Sequence, residues 1–218
     1  MKEKVQGCLV HFILAILSGI AISIGGIAFL ASPSKVVGSI FFAVGLFMVC
    51  TLNLNLFTGK ITVALDEKPS YILRLVVIYI GNFLGALLVG YLLRATRLGT
   101  SLMESAVAVA NTKKNDGFLS VFILGIFCNI MIYLAVYGFK NFDSPIMKFM
   151  ALMFGVSVFV LVGFEHCVAN MFYFSFSNTW GGGAFLCLLS TTLGNIVGGL
   201  LFPACFKLTG YLHGKKDN

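Results

Sequence analysis

Two polar stretches interrupt otherwise apolar sequence, and they hold the residues able to do chemistry. The first is Asn53-Leu54-Asn55-Leu56-Phe57-Thr58-Gly59-Lys60; the second runs Gly163-Phe164-Glu165-His166-Cys167-Val168-Ala169-Asn170-Met171-Phe172. Thr58 offers a hydroxyl that donates or accepts as needed. His166 carries the one intramembrane group whose unperturbed pKa lies near neutrality, so it can bond a passing species or relay a proton. A histidine here can equally cap a helix end. Glu165 reads more readily as structural, accepting amide bonds at a break, than as a gate. Enzyme chemistry finds little support: Glu165-His166 is not HExxH, no GxSxG occurs, and Cys167 and Thr58 are only nominal nucleophiles beside His166.

The sequence around these stretches is that of an integral membrane protein. Hydrophobic residues make up 59% of the 218 positions, charged residues 11%, and mean hydropathy is +0.99. A soluble domain normally carries about 25% charged residues. In a bilayer, side chains facing lipid need no polar partner. The net charge of +7 does not indicate nucleic acid, because the Lys and Arg fall at or between the ends of apolar runs with no basic stripe among aromatics. The six cysteines are scattered without CxxC or CxxH spacing, so they read as buried thiols; no metal and no cofactor are expected.

Six apolar regions approach the length that crosses about 30 Å of hydrocarbon. They run from about Val10 to Ala31, Val37 to Leu65, Tyr71 to Leu93, Leu119 to Tyr137, Ile146 past the Gly163 break, and Gly183 to Phe206. The segment containing Glu104 and Asn111 to Asp116 is less apolar. The N-terminus runs straight into the first region with no cleavage site, which predicts a retained span. The termini and even-numbered connections hold nine basic residues (Lys2, Lys4, Lys68, Arg74, Lys140, Lys148, Lys207, Lys215 and Lys216). The odd-numbered connections hold five: Lys35, Arg94, Arg97, Lys113 and Lys114. That bias predicts both termini in the cytoplasm. His11 and His213, near the ends, read as incidental.

The expected fold is all-α with six transmembrane helices in one domain, 1–218. Its halves, about 1–115 and 116–218, each hold three spans with the middle one broken, which predicts an inverted 3+3 repeat. Non-helical backbone at mid-membrane is tolerated only where protein or a water-filled cavity satisfies it. The two breaks are therefore expected to meet.

Leu56-Phe57-Thr58-Gly59 and Gly163-Phe164-Glu165-His166-x-x-Ala169-Asn170-Met171 resemble the two signatures of the formate/nitrite transporter family. The resemblance covers nearly the whole chain and implies an aquaporin-like protomer in a homopentamer, each protomer with its own pore. It implies Thr58 and His166 at the pore centre between two apolar constrictions. By spacing, Phe42, Phe57 and Ile132 are assigned to the outer one, and Leu46, Leu56 and Phe159 to the inner. Lys113 matches a lysine that attracts anions at the outer vestibule, an ordinary solvated pair with Lys114 being the alternative. Asn129 matches a family asparagine and, with Glu165 and Asn170, is expected to support the helix breaks. The chain departs from the family at Asn55, where an acidic residue is frequent, at Lys60, and in its short termini.

The implied cargo is a small monovalent anion or its conjugate weak acid (formate, nitrite or hydrosulfide), moved across a cell (inner) membrane. Stripping water from an anion at an apolar constriction costs many kcal/mol. Desolvation raises the proton affinity of such an acid, which favours a proton-linked neutral form. The alternative is a channel for neutral solutes such as water, glycerol or ammonia, to which a cationic vestibule would bring nothing.

Overall fold

The computed structural model describes residues 2–210, with side chains from Gly7 onward. His213, Lys215 and Lys216 lie outside the described residues, as do the side chains of Lys2 and Lys4. The described chain is all-helical: α1 (Lys2–Leu30), α2 (Lys35–Thr51), α3 (Phe57–Lys60), a 3-10 helix (Ile61–Asp66), α4 (Tyr71–Arg94), α5 (Arg97–Lys114), α6 (Phe118–Asn141), α7 (Pro145–Val162), α8 (Cys167–Ser177) and α9 (Gly182–Thr209). Among the described residues, five helices are long and apolar enough to cross a membrane: α1 from Gly7, α4, α6, α7 and α9. α2 is apolar but has 17 residues. The segment Arg97–Lys114, read as merely less apolar, forms α5 and packs against α8.

Local chemistry sets where these helices start. Ser34 accepts from the Val37 amide at 3.3 Å before α2. Ser144 does the same for Met147 at 3.5 Å, with Pro145 occupying the first turn of α7. Each cap satisfies an amide that the helix leaves free.

Glycines bring the helices close. A Cβ on Gly85 would lie 2.1 Å from the Ile16 carbonyl oxygen, and one on Gly198 would lie 2.1 Å from that of Ile126. These contacts hold α4 on α1 and α9 on α6, the close approach that small residues allow in membranes. Likewise Gly45 abuts the Ala21 carbonyl and Gly155 that of Met131, each at 2.9 Å from the missing Cβ. In α1, α2, α6 and α7 these partners are shifted by 110 residues. A turn at Asn115 to Gly117 lies between the two sets.

α8 is buried along its entire length. The outer faces of the long helices carry exposed Leu, Ile and Phe, including Leu73, Ile146, Phe154 and Leu186. Apolar surface on that scale needs lipid or another subunit to cover it.

Candidate functional site

The site is built by two helix breaks that end and restart alike. α2 ends at Thr51 and α7 at Val162, and each is followed by a residue of positive φ, Asn53 (52°) and Gly163 (97°). Asparagine and glycine are the residues that enter this left-handed region most readily. The next amide then folds back on the helix: Leu54 N donates to Val49 O at 2.8 Å, and Phe164 N to Phe159 O at 2.9 Å. One residue later, Asn55 N donates to Leu14 O and Glu165 N to Leu124 O, both at 3.3 Å. Every pair again differs by 110 positions.

Two asparagines hold the broken backbone. Asn82 donates from Nδ2 to Ala15 O (2.8 Å) and Asn55 O (2.9 Å), and its Oδ1 accepts from Phe57 N at 2.8 Å. Asn195 donates to Gly125 O and Glu165 O, both at 2.8 Å, and accepts from Cys167 N at 2.9 Å. Each carboxamide therefore satisfies a carbonyl and an amide that the break would leave orphaned. Sequence reasoning missed both. The signal was the repeated Gly81-Asn82-x-x-Gly85 and Gly194-Asn195-x-x-Gly198 inside apolar spans.

Between the breaks, Thr58 Oγ1 lies 3.0 Å from His166 Nε2, and both side chains are buried. His166 is also the N-cap of α8, its Nδ1 accepting from Ala169 N at 3.2 Å. An acceptor nitrogen carries no proton, so the neutral ring bears its proton on Nε2 and donates it to Thr58. The Thr58 hydroxyl hydrogen is then available to another acceptor. Phe159 stacks on the imidazole, with centroids 5.8 Å apart.

Among the described residues, the donors to the Glu165 side chain at the break are an ammonium and a side-chain amide. Its Oε2 accepts from Lys113 Nζ at 2.8 Å and from Asn170 Nδ2 at 2.6 Å. Asn170 Nδ2 also donates to Thr191 Oγ1 at 3.1 Å. Lys113 is thus the partly buried partner of a carboxylate and no free cation. Asn129 supports no break directly: its Nδ2 donates to Asn195 O at 2.6 Å, where α6 crosses α9.

Two cavities flank the Thr58–His166 contact. The first, of about 190 Å³, is lined by Phe29, Lys35, Phe42, Lys113, Phe159 and His166 among others. The second, of about 160 Å³, is lined by Leu46, Val49, Leu56, Lys60, Phe139 and Lys140 among others. Phe29 and Phe139, Phe159 and Val49, and His166 and Leu56 are counterparts in the 110-residue shift.

The residues expected at the two constrictions are distributed differently around these cavities. Phe42 and Phe159 meet edge to face at 5.9 Å on the Lys113 side, so Phe159 is not grouped with Leu46 and Leu56, which line the Lys60 side. Phe57 turns away from both cavities and packs on Tyr79 at 5.0 Å. Ile132 is buried and is not among the residues lining either cavity. Two further residues make contacts that the sequence reading did not give them: Lys35 was counted only as a flanking charge, and His11 was read as incidental. Lys35 lines the first cavity and has no ion-pair partner among the described residues. His11 contacts Asn55 and Arg74.

The family profile described as "Formate/nitrite transporter" matches residues 1–209. A probable formate transporter of Methanothermobacter thermautotrophicus is 33% identical, aligning over 86% of this chain and 80% of its own. The formate channel FocA of Haemophilus influenzae is 29% identical over 80% of this chain and 73% of its own. Among solved structures, a pentameric formate channel with formate bound superposes with a TM-score of 0.83 at 28% identity, covering 95% of this chain and 98% of that one. An FNT family ion channel shares the fold with the same TM-score at 23% identity, covering 97% and 92%. With that match over nearly all its length, the chain belongs to the formate/nitrite transporter family.

Proposed function

We propose that the chain is a multi-pass membrane channel for small monovalent anions or their conjugate weak acids, with formate the leading cargo and nitrite and hydrosulfide the others. The observation that carries this reading is the pair of cavities related by the 110-residue shift and separated by the Thr58–His166 hydrogen bond. The named relatives, formate transporters and channels and no enzymes, support the substrate class and a role without catalysis.

In this reading α2 with α3, and α7 with α8, are the second and fifth of six spans, and the halves form an inverted repeat. One cavity then opens on each side of a cell (inner) membrane, with both termini in the cytoplasm and Lys113 outside. The pentameric formate channel among the solved relatives supports a homopentamer, and the two cavities within this one chain support a pore in each protomer. An anion enters beside Lys35 and loses water between Phe42 and Phe159, where its affinity for a proton rises. The Thr58 hydroxyl, held by His166, donates a hydrogen bond to it and partly replaces the lost hydration. The path continues past Leu56 and Leu46 to the cavity bearing Lys60 and Lys140.

Stopped-flow flux into proteoliposomes tests this. Formate, nitrite, hydrosulfide and glycerol are compared at about pH 5.5 and 7.5, across the range where histidine titrates. Selective flux of one or more of the anions, faster at the lower pH and lost in Thr58→Val, is expected. Equal glycerol flux, or indifference to Thr58→Val, would reject the pore. Anion flux independent of pH would remove the proton linkage alone.

A further inference from the structure

His11 stands outside the pore, yet it touches the first break. Asn55 Nδ2 lies 3.3 Å from His11 Nδ1 and donates to the His11 carbonyl oxygen at 3.2 Å. That second contact fixes which end of the carboxamide is the donor, because a backbone carbonyl can only accept. From α4, a guanidinium nitrogen of Arg74 also lies 3.3 Å from His11 Nδ1. Arginine nitrogens only donate. Two obligate donors therefore converge on one ring nitrogen, which must offer a lone pair, and His11 in this structure is neutral with its proton on Nε2.

A proton on Nδ1 would set donor against donor twice. Arg74 and Lys60, from α4 and α3, are the charged groups whose fields reach this ring among the described residues; α2, α5 and α8, also packed on α1, bring none. Neither cation has a carboxylate partner among the described residues. Among the described residues, none compensates a charged imidazole.

Asn55 is 3% exposed and belongs to the stretch that turns the chain into α3. Its amide binds Leu14 O and its carbonyl binds Asn82. The residue after it, Leu56, lines the Lys60-side cavity, and Thr58 follows two positions later. We propose that neutral His11 is a positioning residue of the pore: through Asn55 it fastens the first helix break, and protonation of His11 unfastens it. This goes beyond the proposed transport role and does not depend on the cargo.

Hydrogen–deuterium exchange of the full chain in lipid nanodiscs tests the fastening without any transport measurement. Protection of amides 53–57, corrected for intrinsic exchange, is compared at about pH 8 and pH 4.5, on either side of ordinary histidine titration. Wild type is expected to lose protection about tenfold at low pH, the scale of one or two lost hydrogen bonds. His11→Gln, whose carbonyl oxygen can accept from both donors at any pH, is expected to stay protected. Asn55→Asp supplies a carboxylate that accepts from a protonated imidazole and from Arg74, and is expected to stay protected too. Wild-type protection that does not change with pH overturns the proposal, as does a His11→Gln loss equal to that of wild type. If His11→Gln does not fold, Asn55→Asp carries the comparison alone, and a loss in it equal to that of wild type overturns the proposal just as well.

Discussion

Lys113 Nζ rests 2.8 Å from Glu165 Oε2, with 13% and 6% of the two side chains exposed. A lysine held this way adds little net field at the cavity mouth, because its partner's charge cancels it at short range. What it does is neutralise a carboxylate at the second helix break. Removing one partner of a buried pair strands the other, at a cost of about 3–5 kcal/mol, whereas removing both charges is far cheaper. Lys113→Met and Glu165→Gln are each expected to lower the Tm in detergent clearly, and the double variant to recover most of the loss. A double variant as unstable as the sum of the singles would mean that the pair is not what stabilises the break.

His166 has two duties that substitution can separate. Its Nδ1 caps α8, and its Nε2 orients Thr58. His166→Asn keeps a capping oxygen within reach of the α8 amides but is too short for Thr58. Folding should stay within about 1 kcal/mol of wild type, since asparagine is among the best N-caps. Anion flux should fall about tenfold or more as the Thr58 hydroxyl loses its anchor. His166→Ala should add a capping loss of about 0.5–2 kcal/mol to the same flux defect. Unchanged flux in His166→Asn would show that the Thr58 contact does not matter to permeation.

Asn82 and Asn195 make matched predictions. Asn82→Leu removes the partner of Phe57 N and Asn55 O, and Asn195→Leu that of Cys167 N and Glu165 O. Each orphaned buried group costs about 1–3 kcal/mol, so either variant is expected to lose several kcal/mol. Thermal unfolding and size-exclusion profiles measure this directly. A near-neutral result at either position would mean that its break has other support.

The breaks stood out in the sequence because asparagine, threonine, glutamate and histidine are conspicuous inside apolar runs. Thr58, Glu165 and His166 were legible for that reason. Which way the apolar residues face was not. Phe159 is set on the Lys113 side because it is the counterpart of Val49, a relation visible only once the 110-residue register between the halves is known. The shared Phe12-Ile13-Leu14 and Phe122-Ile123-Leu124 tripeptides carried that register. The pairing of Lys113 with Glu165 spans 52 residues and that of His11 with Asn55 spans 44, separations at which residue type alone predicts no contact.

The glycines at the helix crossings set a further test with a built-in control. Alanine favours helix over glycine by about 1 kcal/mol, so an unobstructed Gly→Ala change inside a helix should stabilise. At Gly85 and Gly198 the added methyl would meet a carbonyl oxygen at 2.1 Å, and the helices would have to separate. Both variants are expected to be destabilised by about 1–3 kcal/mol or more. At Gly59 the nearest atom is a Val136 methyl at 3.5 Å, ordinary contact, and Gly59→Ala should be tolerated. Equal Tm changes at the three sites would refute close crossing as the role of Gly85 and Gly198.

With Lys113 paired to Glu165, Lys35 is the unpaired cation lining the first cavity among the described residues, and the proposed transport role would have it attract the anion. It sits at the start of α2, exposed and without an ion-pair partner among the described residues; its Nζ would lie 3.8 Å from a Cβ on Gly163, where α7 ends. A single unpaired charge at a cavity mouth raises the local concentration of counter-ions, and salt screens the effect over about 8 Å at physiological strength. Lys35→Gln is therefore expected to slow anion uptake about threefold at low ionic strength and to converge on wild type in about 0.5 M salt. Lys35→Arg should behave as wild type, and thermal stability should not move in either variant. If Lys35→Gln matches wild type at low salt while Lys113→Met loses its salt dependence without losing stability, the two lysines have exchanged roles: Lys113 attracts the anion and Lys35 does not.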